Sequence, residues 1–417
     1  MSEIPRSMSY AMRKSSAVQA NTTLRQFASN NGTIFTPTVN EIRINVAADG
    51  YLDGSKSYLY FTINNKNATG VAGNLTLDAD ALCWIDQIRV ESQGLVLERL
   101  ERAAIYSNLK SRWKDGVGQV PARNAKQGGP VSAASVGNDG LVIDEALSAT
   151  FACKLPLGIL NAHHGRAIPQ GASFDIVIRV NSSAAQCFKW EDGTKTLFEI
   201  TNPRFYAPVY RIENAEVMSE YSQALMERGI QWSGDVVKTY VNSMAAGAAT
   251  RVAQINDRSM SLKSLVSVVR TNAIATSATD NSVGSSQLLG LSQMRYIISG
   301  QNYPQDSVQY SATDAGRLYE EAQKALAHDG DSYCEPTVSL ASFTATTTAG
   351  QGVIAVDLRK FDDEKLLMTG MNTASTAAPN LLELLNVAAA AESDITTFAI
   401  CDAVFTLDGR GAMSSAA

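Results

Sequence analysis

Catalysis and metal binding need particular side chains at particular spacings, and this chain of 417 residues has few of them. Its three histidines are His163, His164 and His328, the first two adjacent in the turn-like run Asn161-Ala162-His163-His164-Gly165. Neighbours in sequence point to opposite faces of a strand, or about 100° apart on a helix, so a shared metal ion is not expected. Asp78 with Asp80, and His328-Asp329-Gly330-Asp331, offer oxygen ligands without the loop spacing that calcium requires, and read as acidic turns. Gly116-Val117-Gly118 lacks the third glycine of a phosphate loop and follows a helical pattern instead of a strand. No G-x-S-x-G elbow and no H-E-x-x-H helix occurs. The expectation is a protein with no catalytic, cofactor-binding or metal-binding residues, and not an enzyme.

The five cysteines, Cys83, Cys153, Cys187, Cys334 and Cys401, are scattered, odd in number and never in a C-x-x-C pair. They read as buried apolar fillers of a chain made in a reducing cytoplasm. No run approaches the roughly 20 apolar residues of a membrane span, and Met1 to Asn30 lacks the apolar stretch of a signal peptide, so a soluble, unexported product is expected. With 45% hydrophobic and 18% charged residues the chain can bury a large core, which excludes disorder throughout. A net charge of −6 argues against a surface built to coat nucleic acid, and no sequence-specific nucleic-acid partner is expected.

Positive charge is local. The first 35 residues hold Arg6, Arg13, Lys14 and Arg25 against the single acid Glu3, a net +3 that leaves −9 on the remainder. Their Ser, Ala, Asn and Gln content cannot bury enough surface to order the segment, so residues 1–34 read as a flexible basic arm. Positive charge on such a segment suits anionic phospholipid, nucleic acid or an acidic neighbouring subunit. A second basic set, Lys110, Arg112, Lys114, Arg123 and Lys126 around Trp113, reads as a solvated loop flank.

The rest of the chain must form the scaffold, and its period is that of strands. Ile42, Ile44 and Val46 share one face; Ser57 to Asn64, Ala81 to Ser92 and Leu95 to Leu97 follow with turn residues between. A helix is predicted over Glu98 to Trp113, an exposed loop over Asp115 to Gly140, then strands at Thr150 to Leu155, Phe174 to Val180 and Leu197 to Ile212. After a helix from Asn214 to Arg228 the pattern repeats: strands at Val236 to Val241 and Leu262 to Arg270, a loop from Asn272 to Gly290, a strand from Met294 to Ser299, a helix from Ala315 to Ala327, and strands at Val353 to Leu358 and Thr397 to Leu407. Short strands with frequent turns and no alternating helices predict an all-β protein of two tandem sandwiches, residues 35–212 and 213–417, with a few short helices and long surface loops.

The order of these elements resembles the double jelly-roll major capsid proteins of the tectivirus and adenovirus lineage over roughly residues 35–410. Tyr58-Leu59-Tyr60-Phe61, Leu97-Glu98-Arg99-Leu100, Leu155-Pro156-Leu157-Gly158-Ile159-Leu160 and Phe174 to Val180 carry the likeness in the first half. Leu262 to Arg270, Tyr296-Ile297-Ile298-Ser299-Gly300 and Thr369-Gly370-Met371-Asn372-Thr373 carry it in the second. The resemblance implies two jelly rolls per chain and pseudo-hexagonal homotrimers that tile an icosahedral shell in the virion. It also implies neighbouring capsomers and minor or penton proteins as partners, an internal membrane within reach of the arm, and no cofactor. Asp115 to Gly140 and Asn272 to Gly290 become the outer loops. A carbohydrate-binding adhesin and a β-sandwich glycosidase are the alternatives; both predict exposed aromatics or paired acids in a cleft, whereas Trp84, Trp190 and Trp232 lie in apolar strand patterns and are expected to be buried.

Overall fold

The computed structural model describes residues 20–70, 72–114, 125–128, 139–163, 166–247, 249–288, 290–311, 313–326, 336–346, 350–359, 368–375, 379–386 and 392–417. Eight principal strands make the first sandwich: β1 (Ala20–Ala28), β2 (Glu41–Ala47), β3 (Tyr58–Asn65), β4 (Ile85–Ser92), β5 (Leu95–Glu101), β6 (Ser148–Cys153), β7 (Ser173–Val180) and β8 (Phe198–Ile212). Eight more make the second: β9 (Ile230–Met244), β10 (Thr250–Ile255), β11 (Leu262–Thr271), β12 (Leu291–Ile298), β13 (Gln301–Gln309), β14 (Ile354–Asp357), β15 (Asn380–Asn386) and β16 (Ser393–Leu407). The first sandwich pairs its strands in the orders β1-β8-β3-β6 and β2-β7-β4-β5, and the second in the orders β9-β16-β11-β14 and β10-β15-β12-β13. Every pairing is antiparallel, and both halves use one order of eight strands over two sheets, the double Greek key of a jelly roll. The fold is a double jelly roll.

Alternation explains the sheets. Along β2, Ile42, Ile44 and Val46 turn inward while Glu41, Asn45 and Ala47 face out; along β3, Leu59, Phe61 and Ile63 turn inward while Tyr60 is exposed. Phe61 meets Trp84 edge-on at 5.2 Å between the two sheets, and in the second sandwich the Tyr296 hydroxyl donates to the Ile354 carbonyl at 2.9 Å. All four tryptophans are buried, Trp84, Trp190 and Trp232 as expected. So are Cys83, Cys153, Cys187 and Cys401.

Four expectations change, in whole or in part. Part of the segment expected to be an arm, Ala20–Ala28, is strand β1, paired with β8 from Ala20↔Ile212 to Ala28↔Arg204. Most of its side chains are exposed, so backbone pairing and the inward Phe27 hold it where composition shows no strand. The helix predicted from Glu98 starts later: α1 spans Ala103–Lys114, and Glu98–Glu101 belong to β5, with Arg102 at φ +54 breaking the strand. The loop from Asn272 to Gly290 is not an outer loop. Asn281 to Gln287 are buried between the sandwiches, where small polar side chains let backbones approach and satisfy one another. In the described part of the loop from Asp115 to Gly140, Ala125 and Lys126 are exposed as expected, but Gly128, at φ +65, packs against Leu77 and Phe151, and Ala81 donates to the Gln127 carbonyl.

Candidate functional site at the seam of the two sandwiches

The seam is built by α1, which is buried on nearly all sides, and by β9 and β16 of the second sandwich. Tyr106 of α1 packs on Phe398 at 5.3 Å, and Trp113 contacts Tyr319 and Phe343. Arg112, expected in a solvated basic flank, is buried and donates to the Gly284 carbonyl at 3.4 Å. A cavity of about 20 Å³ between Ile105, Asn108, Arg112 and Val283 has room for about one water.

Two buried carboxylates bind pairs of consecutive backbone amides there. Asp78, fully buried, accepts from Val283 and Gly284 of the second sandwich at 2.5 and 2.9 Å, so the expected acidic turn is a cross-seam clamp. Burial pushes its pKa up to about 7 against those two amides and the nearby Arg112. Glu98 accepts from Gly158 and Ile159 at 2.8 and 3.1 Å, and burial likewise raises it to about 7. Asp80 instead closes its own turn by accepting from Leu82.

The loop that Glu98 holds is pressed on β9. A Cβ on Gly158 would collide with the Asp235 carbonyl, and one on Gly234 with the Gly158 carbonyl, so both positions require glycine; Ala162 forms a β-bridge to Gly234. This contact brings His163 to Asp235, Nε2 to Oδ1 2.8 Å, with the Ser233 hydroxyl 3.4 Å from Nδ1. Lys263 completes the group, its Nζ 2.9 Å from Asp235 and 3.4 Å from Asp402. Burial works to raise Asp235, but the His163 hydrogen bond and the Lys263 charge hold its carboxyl well below the usual range; burial works to lower Lys263, but the two carboxylates raise it. His163, Asp235 and Asp402 have metal-like spacing, yet the Lys263 ammonium already supplies the positive charge between the carboxylates. Ser233 is buried within a paired strand, which leaves its hydroxyl no approach for a substrate. The group's chemistry is that of a polar lock. His164, His328, Asp329, Asp331 and Cys334 lie outside the described residues.

Of the four arm cations, Arg25 lies in β1 and pairs with Asp49 at 2.8 Å, while Arg6, Arg13 and Lys14 lie outside the described residues. The outer face of the first sandwich carries a feature that alternation alone could have revealed: Tyr58 stacks on Tyr206 at 5.3 Å with Tyr60 edge-on at 5.9 Å, and the Tyr206 hydroxyl donates to Gln26. Among the described residues, no helix is long and apolar enough to cross a membrane.

No protein-family model matches the sequence, and no curated protein matches it. Solved structures do match, at the fold level and over nearly the whole chain. VP54 of the virus PBCV-1, fitted into a reconstruction of the virophage Sputnik, superposes with a TM-score of 0.66 at 10% identity, over 98% of this chain and 99% of that one. The Faustovirus major capsid protein gives 0.62 at 8% identity, over 95% and 92%. A chain of the Sputnik virophage gives 0.55 at 12% identity, over 100% and 92%. The chain has the double jelly-roll fold of viral major capsid proteins.

Proposed function

We propose that this chain is a structural major capsid protein of a virion. One observation carries the reading: the fold matches viral capsid proteins along nearly the whole of this chain and nearly the whole of theirs. A locked seam supports it, because two sandwiches that cannot move apart form a rigid wall block. Three copies form a pseudo-hexagonal capsomer of six jelly rolls, and capsomers tile an icosahedral shell, with minor or penton proteins at its special positions. In this reading residues 1–19, with Arg6, Arg13 and Lys14, lie on the inner side, towards neighbouring capsomers and an internal membrane. The adhesin reading has one observation in its favour, the exposed Tyr60 packed on the half-buried stack of Tyr58 and Tyr206.

Light scattering on the purified protein separates the two. The capsid reading expects a particle of about three times 44.6 kDa, held together at micromolar concentration. A stable monomer that binds glycans through Tyr206, with binding lost in Tyr206→Ala, would overturn it.

A further inference from the structure

One surface carries negative charge that no ion pair among the described residues neutralises, although Gln223 donates to Glu227 at 2.8 Å. Ala20 of β1 pairs with Ile212 of β8, and α2 (Ala215–Arg228) starts three residues further on. The chain before Ala20 therefore joins the sheet beside the first turn of α2. Segment 213–228 carries four acids, Glu213, Glu216, Glu220 and Glu227, against the single base Arg228, a net −3.

α2 rests on the body through Tyr221, whose ring meets Tyr51 at 5.3 Å and whose hydroxyl donates to the Gln170 carbonyl at 2.6 Å, and through Leu225. At helical spacing Glu220 and Glu227 fall on the side opposite these anchors, whereas Val217 and Met226, which are 39% and 73% exposed, lie on opposite edges of the helix. Glu213, Glu220 and Glu227 form no ion pair among the described residues, and the nearby Arg25 and Arg211 are both committed to Asp49. Helix capping does not explain the stripe, because Glu227 is in the last turn, at the negative end of the helix dipole, where an acid is unfavourable.

We propose that residues 1–19 of the same chain dock along this outward face of α2. Arg6, Arg13 and Lys14 answer Glu213, Glu220 and Glu227. The lengths agree: α2 is about 21 Å long, and the six residues from Lys14 to Ala20 span up to about 20 Å when extended. Attachment within one chain keeps the local concentration of the segment high, so docking needs no second copy. The inference does not depend on the capsid reading; within a shell, an anionic inner partner would have to compete with α2 for the segment.

Chymotrypsin cleavage after Tyr10 of the full chain reads out docking, because no charge variant alters that site. Three ion pairs of surface strength predict that Glu213→Lys, Glu220→Lys and Glu227→Lys together speed cleavage about tenfold, as does raising salt to about 0.5 M. Arg6→Glu, Arg13→Glu and Lys14→Glu together should do the same, and the two sets combined should restore slow cleavage, at a rate independent of protein concentration. Circular dichroism checks that α2 persists in the variants; if the α2 set does not fold, the arm set and the salt series decide. Cleavage after Tyr10 that ignores both would overturn the proposal. So would protection that appears only with phosphatidylserine vesicles and survives the α2 substitutions, which would make a lipid surface the partner.

Discussion

Asp78 and Glu98 are acids placed where water is absent, and each is tolerated because two consecutive amides donate to it. With both carboxyls raised to about 7, the protonated form is favoured in the folded chain over the unfolded one. Their contribution to stability is therefore fully present below the unfolded pKa values, near 4, and is lost as pH rises through about 7. Asp235 has the opposite sign: its lowered pKa adds stability above about 4 that is lost as pH falls through its folded value. Urea midpoints measured from pH 4 to 8 should fall less steeply in Asp78→Asn and Glu98→Gln than in the wild type, at the cost of about 1–3 kcal/mol for an amide left with a poorer acceptor. Parallel slopes in wild type and variants would show that other groups set the pH dependence. None of this was legible from the sequence, because the partners of Asp78 and Asp235 lie 205 and 72 residues away along the chain. Burial of a charge is decided by such distant partners, whereas the burial of Trp84 or Cys153 follows from local alternation.

Elements were legible where one face is apolar. Ile42 to Val46 and Phe174 to Val180 alternate because one side meets the core, and both are strands as the period predicts. β1 has no such face, and the run from Leu97 to Ala104 satisfies a helical period although its first half pairs with β4. The polar loop at Asn272 to Gly290 departs from expectation for a related reason: Ser282 donates to the Gln186 carbonyl and Asn281 to the Asp139 carboxylate, so these polar groups meet protein and not water. The placement of β1 alters what truncation should do. Removing residues 1–19 should leave the thermal midpoint within a degree or two, since no strand pairing among the described residues is touched. Removing residues 1–30 strips β1 from β8, exposes Phe205 and opens an edge of nine residues, so a lower midpoint and concentration-dependent scattering are expected. Equal midpoints and no scattering in the longer truncation would show that β1 contributes nothing to the sandwich.

At the scale of the whole molecule, the two jelly rolls repeat one topology, yet their shared surface is built like a core and not like a surface contact. β16 is buried along most of its length, with Thr396, Thr397 and Asp402 inside, because one face meets its own sandwich and the other meets α1 and the first. Hydrogen bonds cross the seam at several separate points: Asp78 to Val283 and Gly284, Thr239 to the Glu101 carbonyl, Ser415 to the Leu97 carbonyl and Trp190 to the Ala278 carbonyl. Cutting the chain between the halves would strand Tyr106, Trp113 and Phe398 in water and leave the Asp78 carboxylate without its amides, costs far above those of separating ordinary tethered domains. The full chain should therefore unfold in one calorimetric transition, and residues 20–212 or 230–417 expressed alone should be insoluble or bind a hydrophobic dye. Coexpression of the two pieces should recover a soluble complex, since every seam contact is then available again. A half that folds alone as a soluble monomer, with sharp near-ultraviolet dichroism from its tryptophans, would mean that the seam is an interface between independent domains, and the rigid-block account of the molecule would fail.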